Sequence, residues 1–174
     1  IDWYSIYADT AQKTGERNDY SVFQLWAKGV DGHAWLIDQD RGKSTAPDHE
    51  KTDRAFWAKH KSKRPRGMKV EDKSSGTGLI QSLKRSSLDG GPPIPVQPIP
   101  RDKDKYTRGL DAAPYIATGM VHLPKSAEFT PALRSELQTF DGLGTGHDDQ
   151  VDPLMDAISD MLAGGAYNSS AWLT

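Results

Sequence analysis

The sequence predicts an α/β domain in which helices flank a mixed sheet of five strands, with small additions toward the C-terminus. Residues 2–38 hold three short apolar runs separated by tight polar turns, which is typical of an antiparallel meander. Residues 47–96 then alternate between helical and strand patterns. A length of 174 residues fits one domain. We therefore treat residues 1–174 as a single unit.

The order of elements in the first half is predicted to be β-β-β-α-β-α. The turn at residues 29–32 contains two glycines, as a hairpin connection favours. Pro47 suits the first turn of a helix because proline lacks the amide hydrogen that a helix start leaves unpaired. Strands are expected at residues 2–9, 19–27, 33–38 and 68–71, and helices at residues 47–60 and around Leu79, Ile80 and Leu83.

The second half is predicted to be less regular. Prolines surround Ile94 and Val96, which indicates an edge or irregular strand. Residues 118–123 are expected to form a short hairpin arm. Helices are expected at residues 102–112 and 131–137, and a final helix near His147 carries Val151, Leu154, Ala157, Ile158 and Leu162 at helical spacing.

Composition narrows the classes of function. The net charge is -2, but basic residues crowd residues 59–66 and acids crowd the last quarter. A local basic patch binds phosphate even on a near-neutral protein. The chain has no cysteine, which excludes disulfides and thiolate metal sites and fits a reducing compartment. No apolar run is long enough to span a membrane, and we recognise no signal peptide.

Acidic residues lie at three predicted element ends. Asp9 ends the first strand, and Glu71 and Asp72 end the fourth. If these strands are parallel neighbours, their carboxylates meet at one sheet edge. Phosphoryl transfer with two metal ions needs several carboxylates at one point, and Mg²⁺ prefers oxygen ligands.

The third acidic group precedes and begins the last predicted helix. Asp149 and Asp152 are three residues apart and are expected to share a helix face, with His147 just outside it. Asp156 and Asp160 are predicted to be solvated. Each acidic group taken alone has a plain explanation as a turn, a cap or a helix-dipole partner. Their joint occurrence favours a metal site.

Basic residues predict contact with a phosphate backbone. Five cations in eight residues exceed what a helix C-terminus needs for capping, which is the alternative explanation. Contacts of this kind carry no base information, so low sequence specificity is expected. The candidates for binding DNA are Lys61, Lys63, Arg64 and Arg66, with Lys105 and Arg108 as weaker ones.

A phosphate-binding loop of the ATPase type is not predicted. RGKS at residues 41–44 carries the end of that motif, but Ile37 stands where the motif requires its first glycine. No helix pattern follows directly. Residues 1–174 therefore show no ATPase.

Three motifs resemble the nuclease domain of the large terminase subunit of tailed bacteriophages. The first is YADTA at residues 7–11, with KTG at 13–15 and NDYSV at 18–22. The second is VEDKSSG at residues 70–76, and the third is GHDDQVD at residues 146–152. Asp104, Lys105, Arg108 and GMVHLP at residues 119–124 also fit. The motifs stand in the family's order and cover nearly the whole chain.

The resemblance implies a ribonuclease H-like fold and an Mg²⁺- or Mn²⁺-dependent endonuclease. Such an enzyme cuts double-stranded viral DNA concatemers during genome packaging, with two metal ions. By motif, the ligands would be Asp9, one of Glu71 and Asp72, and Asp149. A slip of one residue turns a strand side chain to the other face, so register decides between Glu71 and Asp72, and we favour Glu71. Asp148 and Asp152 would support the site or hold the second ion.

The resemblance also implies partners and a place of action. In the family an ATPase motor domain precedes the nuclease in the same polypeptide. We expect residues 1–174, which start at Ile1, to be the nuclease part without that motor. Other implied partners are the portal and the small terminase subunit. The expected location is the cytoplasm of an infected bacterium, without a membrane.

Two other functions remain open from the sequence. A resolvase- or integrase-type nuclease of the same fold class would share the acids but prefer branched or specific DNA. A module that grips DNA or docks on the portal would use the basic patch and have no need of metal.

Overall fold

The computed structural model describes residues 1–10, 20–43, 46–71, 75–85, 91–144 and 148–164. Helices flank one six-stranded mixed sheet, in which the strand order is β5-β4-β1-β2-β3-β6. Strands β1 to β3 form the predicted antiparallel meander, and β4 and β5 run parallel to β1. The strands are β1 Trp3–Asp9, β2 Ser21–Lys28, β3 Ala34–Gly42, β4 Met68–Glu71, β5 Val96–Ile99 and β6 Val121–His122.

Each face of the sheet is covered by helices, which explains why β1 and β2 are apolar on both faces. Neighbouring residues of a strand point to opposite faces. Ile6 and Ala8 therefore join one core cluster with Phe56, whereas Tyr7 joins the other with Leu154. The helices are α1 Ala46–His60, α2 Ser75–Leu83, α3 Lys105–Ala117, α4 Thr130–Thr139 and α5 Val151–Met161, and a short 3-10 turn Lys61–Lys63 follows α1. In the described ranges no helix is long and apolar enough to cross a membrane.

Two helix starts differ from the prediction. Helix α3 begins at Lys105 rather than near residue 102, because the Asp104 carboxylate accepts a hydrogen bond from the Thr107 amide and caps the helix. Helix α5 begins at Val151 rather than near His147. Asp149 consequently lies in the turn before α5, and the expectation that it shares a helix face with Asp152 is wrong.

The predicted hairpin arm at residues 118–123 is also wrong. Val121 and His122 instead form β6, a sixth strand that pairs in parallel with Ala34 and Trp35 of β3. The rings of His33 and His122 lie 2.7 Å apart, nitrogen to nitrogen, at this junction. The sheet thus has one strand more than the sequence predicts.

Helix α1 carries a buried carboxyl group that has a testable consequence. Asp53 is fully buried, and neither of its oxygens has a hydrogen-bond partner in the described part of the chain. Burial, with a smaller contribution from Glu50, raises the pKa of Asp53 well above its ordinary value. The folded state therefore keeps Asp53 neutral, whereas the unfolded chain ionises it above about pH 4.

We expect Asp53→Asn to stabilise the domain increasingly as the pH rises from 5 to 8. Ionisation in the unfolded chain costs the wild type up to about 1.4 kcal/mol per pH unit until the folded-state pKa is reached. Urea unfolding of both proteins at pH 5 and pH 8 measures this difference. The matched control is Glu128→Gln, which removes an exposed carboxylate. If Asp53→Asn raised the free energy of unfolding by the same amount at both pH values, Asp53 would not be neutral in the folded state.

Candidate metal and active site

Parallel strands bring the predicted acids to one edge of the sheet. Asp9 and Glu71 are the last residues of β1 and β4, and these strands are parallel neighbours. Glu71 pairs in register with Ile99, the last residue of β5. Arg101 follows two residues later. The carboxyl ends of three parallel strands thus place Asp9, Glu71 and Arg101 together.

The Arg101 guanidinium group lies at the centre of the carboxylates. Its Nη1 atom is 2.8 Å from Glu71 Oε2, 3.5 Å from Asp9 Oδ1 and 3.7 Å from Asp152 Oδ1. Its Nη2 atom donates a hydrogen bond of 2.9 Å to Asp156. The Arg101 side chain is buried, and Glu71 points inward as its contact with Arg101 requires.

Helix α5 contributes the other side of the site. Asp152 and Asp156 are one turn apart on α5, and each is only 3% exposed. Arg108 of α3 donates to Asp152 at 2.7 Å and to Asp156 at 2.8 Å. Lys105 lies 2.6 Å from Asp152 and 2.9 Å from Asp148. Two cations from α3 therefore make it possible to bury two carboxylates of α5.

The cluster is short of positive charge. Burial raises the pKa of Asp9 to about 8; Arg101 opposes this shift, whereas Asp152, Glu71 and Asp156 add to it. Burial also raises the pKa of Asp156, against Arg101 and Arg108. Burial acts on Asp152 in the same direction, but Arg101, Lys105 and Arg108 together hold its pKa below the usual range. A further cation at this site would favour the ionised carboxylates.

Asp149, the acid predicted from the third motif, lies in different surroundings. Its Oδ2 atom is 3.5 Å from the Arg41 guanidinium group, which also contacts Glu136 at 3.1 Å. Burial raises the pKa of Asp149, with Arg41 opposing and Glu136 adding to the shift. The structure therefore brings Asp152, rather than Asp149, together with Asp9 and Glu71.

The predicted DNA-binding residues fall into two groups. Lys61, Lys63, Arg64 and Arg66 are exposed. The Arg66 amide donates to the Tyr4 carbonyl oxygen, and its guanidinium group lies 4.5 Å from the Trp3 ring centre. This basic segment is therefore at the start of β1, about 16 Å from Asp9 at ~3.3 Å per residue.

Lys105 and Arg108 form the second group. Their side chains are turned toward Asp148, Asp152 and Asp156. In this structure they act as counter-ions inside the acidic cluster. Their predicted contact with DNA phosphate stays a prediction.

Sequence reasoning missed three residues around the site. Asp156 and Asp160 were predicted to be solvated, but both side chains are buried, which corrects that expectation. Asp160 accepts a hydrogen bond of 2.5 Å from the Tyr7 hydroxyl and pairs with the Lys69 ammonium group. The available signal was an acid at every fourth position of an otherwise apolar helix. For Arg101, the available signal was a cation placed just after the end of a predicted strand.

Parts of the predicted site lie outside the described residues, namely Asp72 and His147. Among the residues that are described, no three acidic or histidine side chains are already arranged around a position for a metal ion. The contacts above give the reason, since a guanidinium group lies between the carboxylates.

Comparison with known proteins shows the family. A model described as the terminase RNaseH-like domain matches residues 6–160. The chain belongs to this family. The match begins within β1, includes β4 and β5 and ends within α5, and it covers every residue of the acidic cluster. No curated protein matched the sequence.

Solved structures show the same fold in viral terminases. The terminase nuclease domain of human cytomegalovirus is similar with a TM-score of 0.61 at 10% identity, over 93% of this chain and 86% of that one. A manganese-soaked form of it gives 0.62 at 10% identity, over 90% and 81%. The nuclease domain of the P22 large terminase gives 0.57 at 15% identity, over 99% and 87%. The predicted resemblance and the ribonuclease H-like α/β fold are confirmed.

Proposed function

We propose that this terminase domain is an Mg²⁺- or Mn²⁺-dependent endonuclease that cuts double-stranded viral DNA concatemers during genome packaging. The observation that carries the proposal is the convergence of Asp9, Glu71 and Asp152 on one positively charged nitrogen. Three carboxylates from separate elements are held there, largely out of water. A site of this kind is suited to a cation.

The chemistry of the donors fits divalent ions. All the converging groups are carboxylates, which Mg²⁺ and Mn²⁺ prefer as ligands. Asp9, Glu71 and Asp152 would hold the ions, and Asp72 and Asp149 remain candidates for a second ion. When bound, such ions activate water and stabilise the leaving oxygen. The existence of a manganese-soaked form of the cytomegalovirus domain is consistent with this proposal.

The chain's own residues prepare the site for phosphodiester hydrolysis. Arg108 and Lys105 fix Asp152, so this carboxylate faces the ends of β1 and β4. In the reaction, oxygen of water bonds to phosphorus and the bond from phosphorus to the 3′-oxygen breaks. The products are a 5′-phosphate and a 3′-hydroxyl. Burial of the carboxylates strengthens their interaction with cations.

The basic segment supports binding of the DNA backbone beside the site. Lys61, Lys63, Arg64 and Arg66 are exposed and would contact phosphates at a distance from the cut. Such contacts position DNA without reading its sequence. We propose that a motor ATPase domain of the same polypeptide feeds the DNA, with the portal and small terminase subunit as further partners. This assembly would act in the cytoplasm of the infected bacterium.

Cleavage of supercoiled plasmid tests the proposal. We expect linear product with Mn²⁺ or Mg²⁺, none with EDTA, and none with Asp9→Asn, because Asp9 ends the central strand of the site. Arg64→Gln is the matched control that lies at the basic segment. This substitution should weaken DNA binding but leave the metal concentration required for cleavage unchanged. Cleavage that survives EDTA, or that Asp9→Asn retains, would contradict a metal-dependent site at these acids.

A DNA-gripping module is the second candidate, favoured by the distance between the basic segment and the acids. Such a module would bind DNA with strong salt dependence and would neither bind Mn²⁺ nor cut. The gripping module would be favoured if Asp9→Asn left DNA binding unchanged and if the wild type cut no DNA with either Mn²⁺ or Mg²⁺.

A further inference from the structure

Arg101 lies where the site's carboxylates converge, and this position has a consequence for metal loading. We propose that Arg101 is a built-in competitor of the divalent cation, which leaves the carboxylates for the adjoining cleft when metal binds. This inference rests on the proposed function, because it concerns the same acids. It adds a residue that sets the metal affinity of the site.

The competition follows from the atoms that Arg101 occupies. Its Nη1 atom lies close to one oxygen each of Glu71, Asp9 and Asp152. These three oxygens converge on the position that the Nη1 atom occupies. Mg²⁺ binds oxygen at about 2.0–2.1 Å and carries two positive charges. A guanidinium group 2.8 Å from Glu71 would overlap with such an ion and repel it.

Arg101 is held by charge more than by a complete set of hydrogen bonds. Its Nε atom is buried and has no acceptor among the described residues. A buried donor without an acceptor is unfavourable, because water satisfied it before burial. The position over the carboxylates therefore has an unsatisfied donor that a move to a more open place would relieve.

The structure offers such a place next to the site. A cleft of about 470 Å³ lies between the segment after β5 and helices α3 and α5. Arg101 and Asp156 both line it, as do Asp102 and Asp111. Arg101 can therefore turn away from Glu71 and Asp9 while its contact with Asp156 persists. Asp111 already pairs with Lys103 at 2.6 Å, so Asp102 would receive the displaced guanidinium group.

Direct measurement of Mn²⁺ binding tests the inference without relying on activity. We expect Arg101→Gln to bind Mn²⁺ about tenfold or more tightly than the wild type, as followed by the electron paramagnetic resonance signal of free Mn²⁺. Glutamine keeps a polar side chain but removes the positive charge. The matched control is Lys125→Gln, which removes an exposed positive charge shortly after β6, three strands away from β1 in the sheet. It should change the dissociation constant less than about twofold.

Loss of Arg101 exposes the acids to mutual repulsion, so folding must be followed in parallel. Circular dichroism melts should show that Arg101→Gln is less stable without metal and gains more from Mn²⁺ than the wild type does. Arg101→Lys keeps the charge but replaces the two guanidinium nitrogens that contact Glu71 and Asp156 with a single ammonium group. Its Mn²⁺ affinity should exceed that of the wild type, which keeps the proposal testable if Arg101→Gln folds poorly.

The outcomes separate this inference from the proposed function. Mn²⁺ binding that Asp9→Asn abolishes, but that Arg101→Gln and Arg101→Lys leave unchanged or weaken, would overturn the competitor role while the metal site stands. Absence of Mn²⁺ binding by the wild type and by both Arg101 variants would overturn both. Tighter binding by both Arg101 variants, lost again in Asp9→Asn, would establish the competitor.

Discussion

Asp152→Asn is expected to lower the rate of plasmid cleavage about a thousandfold, since metal-ligand interactions supply several kcal/mol in the transition state. Asp149→Asn should lower the rate only about tenfold to a hundredfold, because the Asp149 carboxylate lies against Arg41 and not against Arg101. The reason is geometric. Asp152 shares Arg101 Nη1 with Asp9 and Glu71, whereas Asp149 lies against Arg41.

The comparison needs a direct readout of metal as well as cleavage. Single-turnover cleavage in Mn²⁺ and Mn²⁺ binding should both be measured for the two variants. Both substitutions remove one negative charge from neighbouring positions of the third motif, so each is the matched control of the other. A reversed order, with Asp149→Asn inactive and Asp152→Asn active, would show that the motif-based choice of Asp149 is right and that the turn before α5 rearranges on metal binding.

The predictable part of the site rests on strand ends. Asp9 and Glu71 could be placed together from sequence because each ends an apolar run, and because parallel neighbouring strands end at the same edge of a sheet. The choice of Glu71 agrees with its inward contact to Arg101. The place where α5 begins was not predictable in the same way. The backbone hydrogen bond from Val151 to Asp148 closes a turn before the helix, and the acids in that turn look like a helix start.

No sequence pattern predicts which cations pair with the acids of the site. Arg101 and Asp9 are far apart in the chain, and nothing in the composition of either segment pairs them. Whether Asp156 faces water depends on how completely α5 is covered, and this helix is buried against the sheet on one side and contacts α3 and α4 on others. An acid that looks solvated on a helical wheel becomes buried when its counter-ion comes from another element.

Lys69→Met is expected to destabilise the fold by about 3–5 kcal/mol, the cost of leaving a buried carboxylate without its cation. Lys69 is on β4, and its ammonium group pairs with Asp160 near the end of α5. Both side chains are less than a tenth exposed, so solvent screens the pair little. Burial lowers the pKa of Lys69, although Asp160 opposes this shift. Methionine fills the same space without the charge.

The double variant Lys69→Met with Asp160→Asn separates the stranded charge from packing. Asparagine still accepts the Tyr7 hydroxyl hydrogen bond but carries no charge, so urea unfolding should show stability within about 1–2 kcal/mol of the wild type. If the single and double variants were equally destabilised, packing of methionine would be the cause instead. Asp160 also connects α5 to the sheet, because it pairs with Lys69 of β4 and accepts the hydrogen bond from Tyr7 of β1. Since Asp152 and Asp156 lie on the same helix, loosening this tie should lower Mn²⁺ affinity in the single variant and restore it in the double variant.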